Sequence, residues 1–432
     1  MGVCAAVLAY GSSNIVKTSW KADGSLFNGT LISFFAQQKT YKKPEDYDRI
    51  DIAAEEEKYK RPAAPDGPLP DMIVIMSEAF ADLGVYQGEL KTTEPYMPFY
   101  DSLEENTVKG YALSSIFGGT TANSEYEFLC GNSMGFLPEK SVGFQERVKP
   151  DTYSWVKYLK TLGYETVGMH PYLKNGWQRN TVWPKLGFSD TYFLEDFPQE
   201  KLRRGYVSDQ EMFEQIIQLV NNRESDTPVF LYGVTMQNHG GYDATEELYQ
   251  KRIALQGYSQ EYPSVNEYLS LMYESDVALR YLLEQLQDSD RPTVVVFYGD
   301  HQPALEDAFY EELNGGPFDD LQDQMKKYMV PFFIWANYDI PEETVALSSL
   351  NFLSNYMLEA AGIELPSYNQ FLRDVEKEIP AMNANGYYSL SQGKFLPYEE
   401  AEGKEQEILS IYRALQYNSI KGGSKRSKVF FE

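Results

Sequence analysis

Thr293-Val-Val-Val-Phe-Tyr-Gly-Asp-His301 is a short apolar run that ends abruptly in an acid and an imidazole. A continuous apolar run of this length, bounded by turn signals, reads as a strand buried on both faces, the kind found in parallel sheets. Four more such runs lie at 72–77, 166–170, 228–234 and 330–336. Amphipathic helical patterns occupy 151–163, 209–222 and 265–287 between them, and a further one at 349–361 follows the last run. Apolar strands alternating with amphipathic helices predict an α/β fold, a mostly parallel central sheet with helices on both faces.

The 432 residues suffice for two or three ordinary domains or for one large α/β domain with additions. A composition of 43% apolar and 24% charged residues is that of a globular protein. The net charge of −26 repels phosphates, so binding to nucleic acid is not expected. A phosphate substrate would need a local cationic device, such as a metal ion or a buried arginine. Two cysteines, Cys4 and Cys130, make no disulfide framework. No apolar stretch reaches the length of a membrane-spanning helix, and the apolar opening at 1–10 is too short to span. The charged run 42–61 leads into the Pro-rich stretch 61–70, an extended entry to the main domain. The expected organisation is a lead-in over 1–66, a catalytic domain over 67–372 and a small C-terminal subdomain or tail over 373–432.

In open α/β sheets ligands gather at the carboxyl ends of the strands. Glu78 follows the run 72–77, His170 ends 166–170, His239 follows 228–234, and Asp300 and His301 follow Thr293–Gly299. The chain has only three histidines, and all three sit at or just beyond predicted strand ends. Asp300 and His301 with a remote Glu78 make an oxygen-rich site with one imidazole, suited to Mn²⁺, Mg²⁺ or Zn²⁺. Ile116-Phe-Gly-Gly-Thr-Thr-Ala-Asn-Ser-Glu125 is the candidate nucleophile loop. Its glycines permit a sharp turn, and a helix starting at Thr121 or Ala122 sets a hydroxyl at a helix N-terminus, where an anion is favoured. The same residues also read as a plain turn with an N-cap threonine.

Ser77-Glu78, Gly119-Thr-Thr-Ala-Asn-Ser-Glu125, His170 with Trp177 and Arg179, Gln237-Asn-His239 and Gly299-Asp-His301 occur in this order. Together they resemble the extracellular catalytic domain of lipoteichoic acid synthases, phosphoglycerol transferases of the alkaline phosphatase/sulfatase superfamily. The resemblance runs from about residue 70 to 370. It implies one divalent metal, Mn²⁺ by family habit, held by Glu78, Thr121, Asp300 and His301. It implies Thr121 as nucleophile, with Thr120 as the competing choice, and a phosphoglycerol pocket lined by His170, Trp177, Arg179 and His239. Tyr172 stands where family members often carry a polar or acidic residue. The implied partners are a phosphatidylglycerol headgroup, a polyglycerolphosphate or glycolipid acceptor and a membrane surface. The implied location is the outer face of a bacterial membrane, with membrane helices preceding this domain, and a monomer is expected. The chemistry agrees: a metal activates a threonine hydroxyl, Arg179 offers a forked donor pair, and His239 can carry the proton between leaving group and acceptor.

Other readings fit less well. A sulfatase needs Cys or Ser in a C/S-x-P-x-R motif, and Cys130-Gly-Asn-Ser-Met lacks both Pro and Arg. A second metal site would need more histidines than three. The alternatives kept are a phosphoethanolamine transferase or another phosphodiesterase of this superfamily, and a non-catalytic polyglycerolphosphate-binding module.

Overall fold

Eight strands form the central sheet of the computed structural model, which describes residues 41–432 except 64, 66, 224 and 244–247. The apolar opening and Cys4 lie outside the described residues. The sheet strands are β1 (Asp71–Ser77), β2 (Thr107–Leu113), β3 (Glu165–Met169), β4 (Asp190–Tyr192), β7 (Val229–Val234), β8 (Thr293–Gly299), β9 (Met329–Ala336) and β10 (Glu343–Ser349), while β5 (Leu202–Arg203) and β6 (Tyr206–Val207) form a separate hairpin. The spatial order is β10-β2-β9-β8-β1-β7-β3-β4. All five expected runs are strands. β8, β1, β7, β3 and β4 run parallel. β9 is antiparallel to both its neighbours, β8 and β2. An apolar run reports burial on both faces and carries no information on direction.

Side-chain alternation along the strands builds the two cores. Met72, Val74 and Met76 of β1 face one layer with Val294, Val296 and Tyr298 of β8. Ile73 and Ile75 face the other with Val295 and Phe297. The first layer is covered by α1 (Ala122–Cys130), α2 (Trp155–Thr161) and α3 (Arg179–Leu186). The second is covered by α4 (Asp209–Asn221) and α5 (Pro263–Gln287). α4 starts cleanly because the Ser208 side chain accepts from the Glu211 N–H, an N-cap bond. α6 (Leu353–Ala360) and α7 (Ser367–Glu378) extend the first layer. α7 runs through position 372, and beyond it a three-stranded antiparallel sheet, β11 (Met382–Asn383), β12 (Gly386–Ser389) and β13 (Lys394–Leu396), forms a small C-terminal subdomain. The last long helix, α8 (Gly403–Lys421), packs Tyr412 edge-on against Phe136 at 5.1 Å, within the same core as α1. No helix among the described residues is long and apolar enough to cross a membrane.

Register places the site. Ser77 pairs with Gly299, so Glu78 and Asp300 emerge side by side from the ends of β1 and β8. Gly299 is required there, because a Cβ would collide with the carbonyl oxygen of Phe80.

Candidate active site

Glu78, Thr121, His170, Trp177, Arg179, His239 and His301 line one cleft of about 250 Å³, and Asp300 lies fully buried beneath it. All the residues singled out from the sequence are thus brought together.

The cleft floor is a cluster of donors. One donor atom from each of Glu78, Asp300 and His301 lies within 4.8 Å of the others. His301 Nε2 is 3.2 Å from Asp300 Oδ2 and 3.7 Å from Glu78 Oε1. His301 Nδ1 sits 2.9 Å from the Gln302 carbonyl oxygen. A carbonyl only accepts, so Nδ1 carries the proton and Nε2 presents a lone pair, the tautomer of a metal-ligating imidazole. Asp300 Oδ1 accepts from the N–H groups of Ala79 and His301, each at 2.8 Å. Asp300 Oδ2 and His301 Nε2 are buried with no hydrogen-bond partner among the described residues. Two adjacent, buried acceptors without a donor, facing a third acceptor, suit a bound cation. The residues therefore fit a divalent ion. Burial pushes the Glu78 carboxyl well up, the Asp300 carboxylate adds to that, and Arg179 opposes it.

The Thr121 hydroxyl lies 3.5 Å from Glu78 Oε2 and is oriented to donate to it. Thr121 is the N-cap of α1, a helix whose every residue is buried. The turn before it is tight: φ is +68° at Gly118, +150° at Gly119 and +71° at Thr120. A left-handed non-glycine residue costs on the order of 1 kcal/mol, and such residues cluster at functional sites. Ala79, Trp177 and Gln178 share that conformation on the neighbouring segments. The Gly118 N–H donates to the Gln302 carbonyl at 3.0 Å, which ties the threonine turn to the loop beyond His301. The Ser114 and Ser124 hydroxyls donate to the Asp300 carbonyl oxygen at 2.8 and 2.7 Å.

The cationic wall is Arg179. Its Nε and Nη2 donate to Glu125 Oε1 at 3.0 and 2.6 Å, while Trp183 Nε1 donates to Glu125 Oε2 at 3.0 Å. Part of the expected fork is thus engaged within the protein, and Glu125 sets the guanidinium's direction. This role was missed in the sequence, although Glu125 lies one helical turn after Thr121 and so was available as a same-face partner. Opposite, His170 Nδ1 meets the Val234 carbonyl oxygen at 2.9 Å, so its Nε2 is the acceptor. Burial, with Arg179 adding to it, holds His170 well below the ordinary imidazole range. Burial also lowers His239, whose Nδ1 lies 3.4 Å from the Tyr206 hydroxyl. Tyr172, Met236, Gly240, Tyr242, Pro303 and Ala304 complete the lining with the turn 118–120, so Thr120 borders the cleft as well.

The sulfatase family profile matches residues 70–363, which spans the sheet and every residue of this cluster. The chain belongs to the sulfatase family. Enzymes of the sulfatase/alkaline phosphatase superfamily use a divalent metal, which the Glu78–Asp300–His301 cluster fits. A relative from Rhizobium meliloti (strain 1021), "Putative cyclic beta-1,2-glucan modification protein", is 30% identical over 380 residues, 84% of this chain. The sulfatase-family chain spans little more than half, 56%, of that relative's length. Among solved structures, Streptococcus pyogenes phosphoglycerol transferase GacH in complex with sn-glycerol-1-phosphate aligns with a TM-score of 0.66 at 21% identity, covering 90% of this chain and 95% of that one. The lipoteichoic acid synthase LtaP from Listeria monocytogenes aligns with a TM-score of 0.58 at 15% identity, covering 86% and 97%. At these identities the two structures establish the lipoteichoic acid synthase-like fold, in line with the resemblance read from the motifs.

Proposed function

We propose that the protein transfers glycerol phosphate from phosphatidylglycerol to a cell-envelope glycan or polyglycerolphosphate acceptor through a glycerophospho-threonine. The observation that carries this is the Thr121 hydroxyl beside the Glu78–Asp300–His301 cluster, with Arg179 on the same cleft. Support comes from the fold shared with a transferase that binds glycerol phosphate and from the relative named for glucan modification. Work at the outer face of the cell envelope belongs to the same reading.

Glu78, Thr121, Asp300 and His301 would hold one divalent ion, Mn²⁺ foremost, with Mg²⁺ or Zn²⁺ as alternatives. When bound, the ion would favour loss of the Thr121 hydroxyl proton and neutralise charge on the phosphoryl oxygens. With Thr121 entering as the alkoxide and His239 protonated, Thr121 Oγ1 attacks phosphorus and the bond from phosphorus to the diacylglycerol oxygen breaks. His239 gives that oxygen its proton. His239 then takes the proton of the acceptor hydroxyl, whose oxygen attacks phosphorus, and the bond to Thr121 breaks. Arg179 directs positive charge at the phosphoryl group, held in place by Glu125. Trp177 lies against the glycerol carbons and His170 accepts from a glycerol hydroxyl through Nε2.

The test is release of diacylglycerol from phosphatidylglycerol, phosphatidylethanolamine and phosphatidylcholine with Mn²⁺ present. Release from phosphatidylglycerol alone supports the proposal. Equal or faster release from phosphatidylethanolamine makes the protein a phosphoethanolamine transferase instead.

A further inference from the structure

We infer that Arg204 is the positioning residue for His239, an inference that rests on the proton-carrying role given to His239 above. The loop after β7, residues 235–242, contains Gly240 and Gly241, the latter with φ +95°. A Cβ at either glycine would meet nothing within 4 Å, so packing does not hold that part of the loop. Its carbonyl groups are gathered instead. Arg204 Nη1 donates to Gly241 O at 2.9 Å, and Nη2 donates to Gln237 O at 3.1 Å and to His239 O at 2.7 Å. The Tyr242 hydroxyl donates to Asn238 O at 2.9 Å. One guanidinium therefore ties together three carbonyls of the loop that carries His239, including that of His239 itself.

Arg204 is fixed in turn. Its side chain is only 5% exposed, and its Nε lies 3.5 Å from Glu267 Oε1 on α5. Its guanidinium carbon sits 5.3 Å from the Tyr242 ring centre. Arg204 and Gly205 form the two-residue turn between β5 and β6, with φ of +49° and +81°. Turns with two left-handed residues favour Asn-Gly or Gly-Gly. An arginine in the first position accepts strain, and the turn aims its side chain inward under the loop. Tyr206, directly after the turn, sets its ring 5.5 Å from the His239 ring. The hairpin holds the backbone of His239 with one residue and borders its imidazole with another. A proton carrier displaced by about 1 Å loses on the order of 100-fold in rate, which is the scale at which such a clasp acts.

Arg204→Met in the full chain keeps the apolar stem and removes the donors. Two donors separate positioning from folding: phosphatidylglycerol, whose leaving alkoxide needs a proton, and glycerol p-nitrophenyl phosphate, whose leaving group needs none. In the first turnover, before His239 is needed again for the acceptor, diacylglycerol release should fall about 10–100-fold and the nitrophenol burst less than about 3-fold, with Arg204→Lys recovering part of the loss. Because Arg204→Met removes the cation from buried Glu267, R204M/E267Q is measured beside it and should show the same split. An equal loss on both donors, or no loss on either, overturns the inference. The imidazole NMR signals give a readout that needs no turnover. With Mg²⁺ present the His239 signal, assigned with His239→Asn, should shift or broaden in Arg204→Met while those of His170 and His301 stay put. An unmoved His239 signal overturns the inference. If the unaltered protein cleaves neither donor, the proposed function falls and the NMR comparison still decides the role of Arg204.

Discussion

Replacing Glu125 by Gln should destabilise the protein and loosen its hold on phosphate together. The Glu125 side chain is 0% exposed and that of Arg179 3%, so water screens neither. Removing one partner of such a pair altogether costs about 3–5 kcal/mol, mostly for the charge left behind. Gln keeps an acceptor where Arg179 Nε and Nη2 converge on Oε1. The charge is lost, and so is the acceptor for Trp183 Nε1, so about 2 kcal/mol or more is the expected penalty. With a urea slope of about 3 kcal/mol/M, the unfolding midpoint should drop by about 0.7 M or more. Inorganic phosphate supplies the missing negative charge, so 50-fold excess over its dissociation constant should restore on the order of 2 kcal/mol. The assay is urea unfolding followed by tryptophan fluorescence, with and without phosphate. A midpoint within about 0.1 M of the unaltered protein would refute the claim that Glu125 neutralises and aims Arg179.

Asp300→Asn keeps the acceptor used by the Ala79 and His301 N–H groups while removing a charge that repels Glu78. It should make the metal-free protein more stable in EDTA and abolish stabilisation by Mn²⁺, which calorimetric titration and thermal melts will read; retained Mn²⁺ binding at full affinity would remove Asp300 from the site. Thr121→Ala should eliminate the glycerophosphate adduct seen by mass spectrometry, whereas Thr120→Ala should only slow its formation; an adduct on Thr120 reverses the assignment. Burial pushes the Glu127 carboxyl from its ordinary 4.5 to about 7. The folded state therefore holds this proton more tightly than the unfolded chain. Its contribution is present below pH 4.5 and is lost as pH rises through 7, on the order of 3 kcal/mol. Glu127→Gln mimics the protonated form and should flatten that part of the stability–pH curve; an unchanged slope between pH 5 and about 7 would contradict it.

What could be read from the chain was set by how local the signal is. The runs that became β1, β7 and β8 are buried at every position, so hydrophobicity alone announces them. β2 alternates buried with half-buried residues and includes Lys109 and Gly110, and β10 begins with exposed Glu343 and Thr344, so neither stood out. Glu78, Asp300 and His301 were legible because strand ends in this architecture converge at one edge, which turns a position in sequence into a position in space. Glu125 and Arg204 were not. Each acts through a contact with a side chain or loop that only the finished fold delivers, Arg179 in one case and the 237–241 carbonyls in the other.

The central place of β1 in the sheet also bears on how the chain is made. Its partners are β7 and β8, and β8 ends at Gly299. At a synthesis rate of about 5–20 residues per second, β1 waits roughly 10–40 s before both neighbours exist. Until β7 is made, Met72-Ile-Val-Ile-Met76 is an apolar strand with two unpaired edges, and until β8 is made one edge stays open, the kind of segment that associates with other chains. The nascent polypeptide cannot close its core from the amino end. Yield on expression should therefore respond more to chaperones that shield this segment than to any gain in stability of the finished protein.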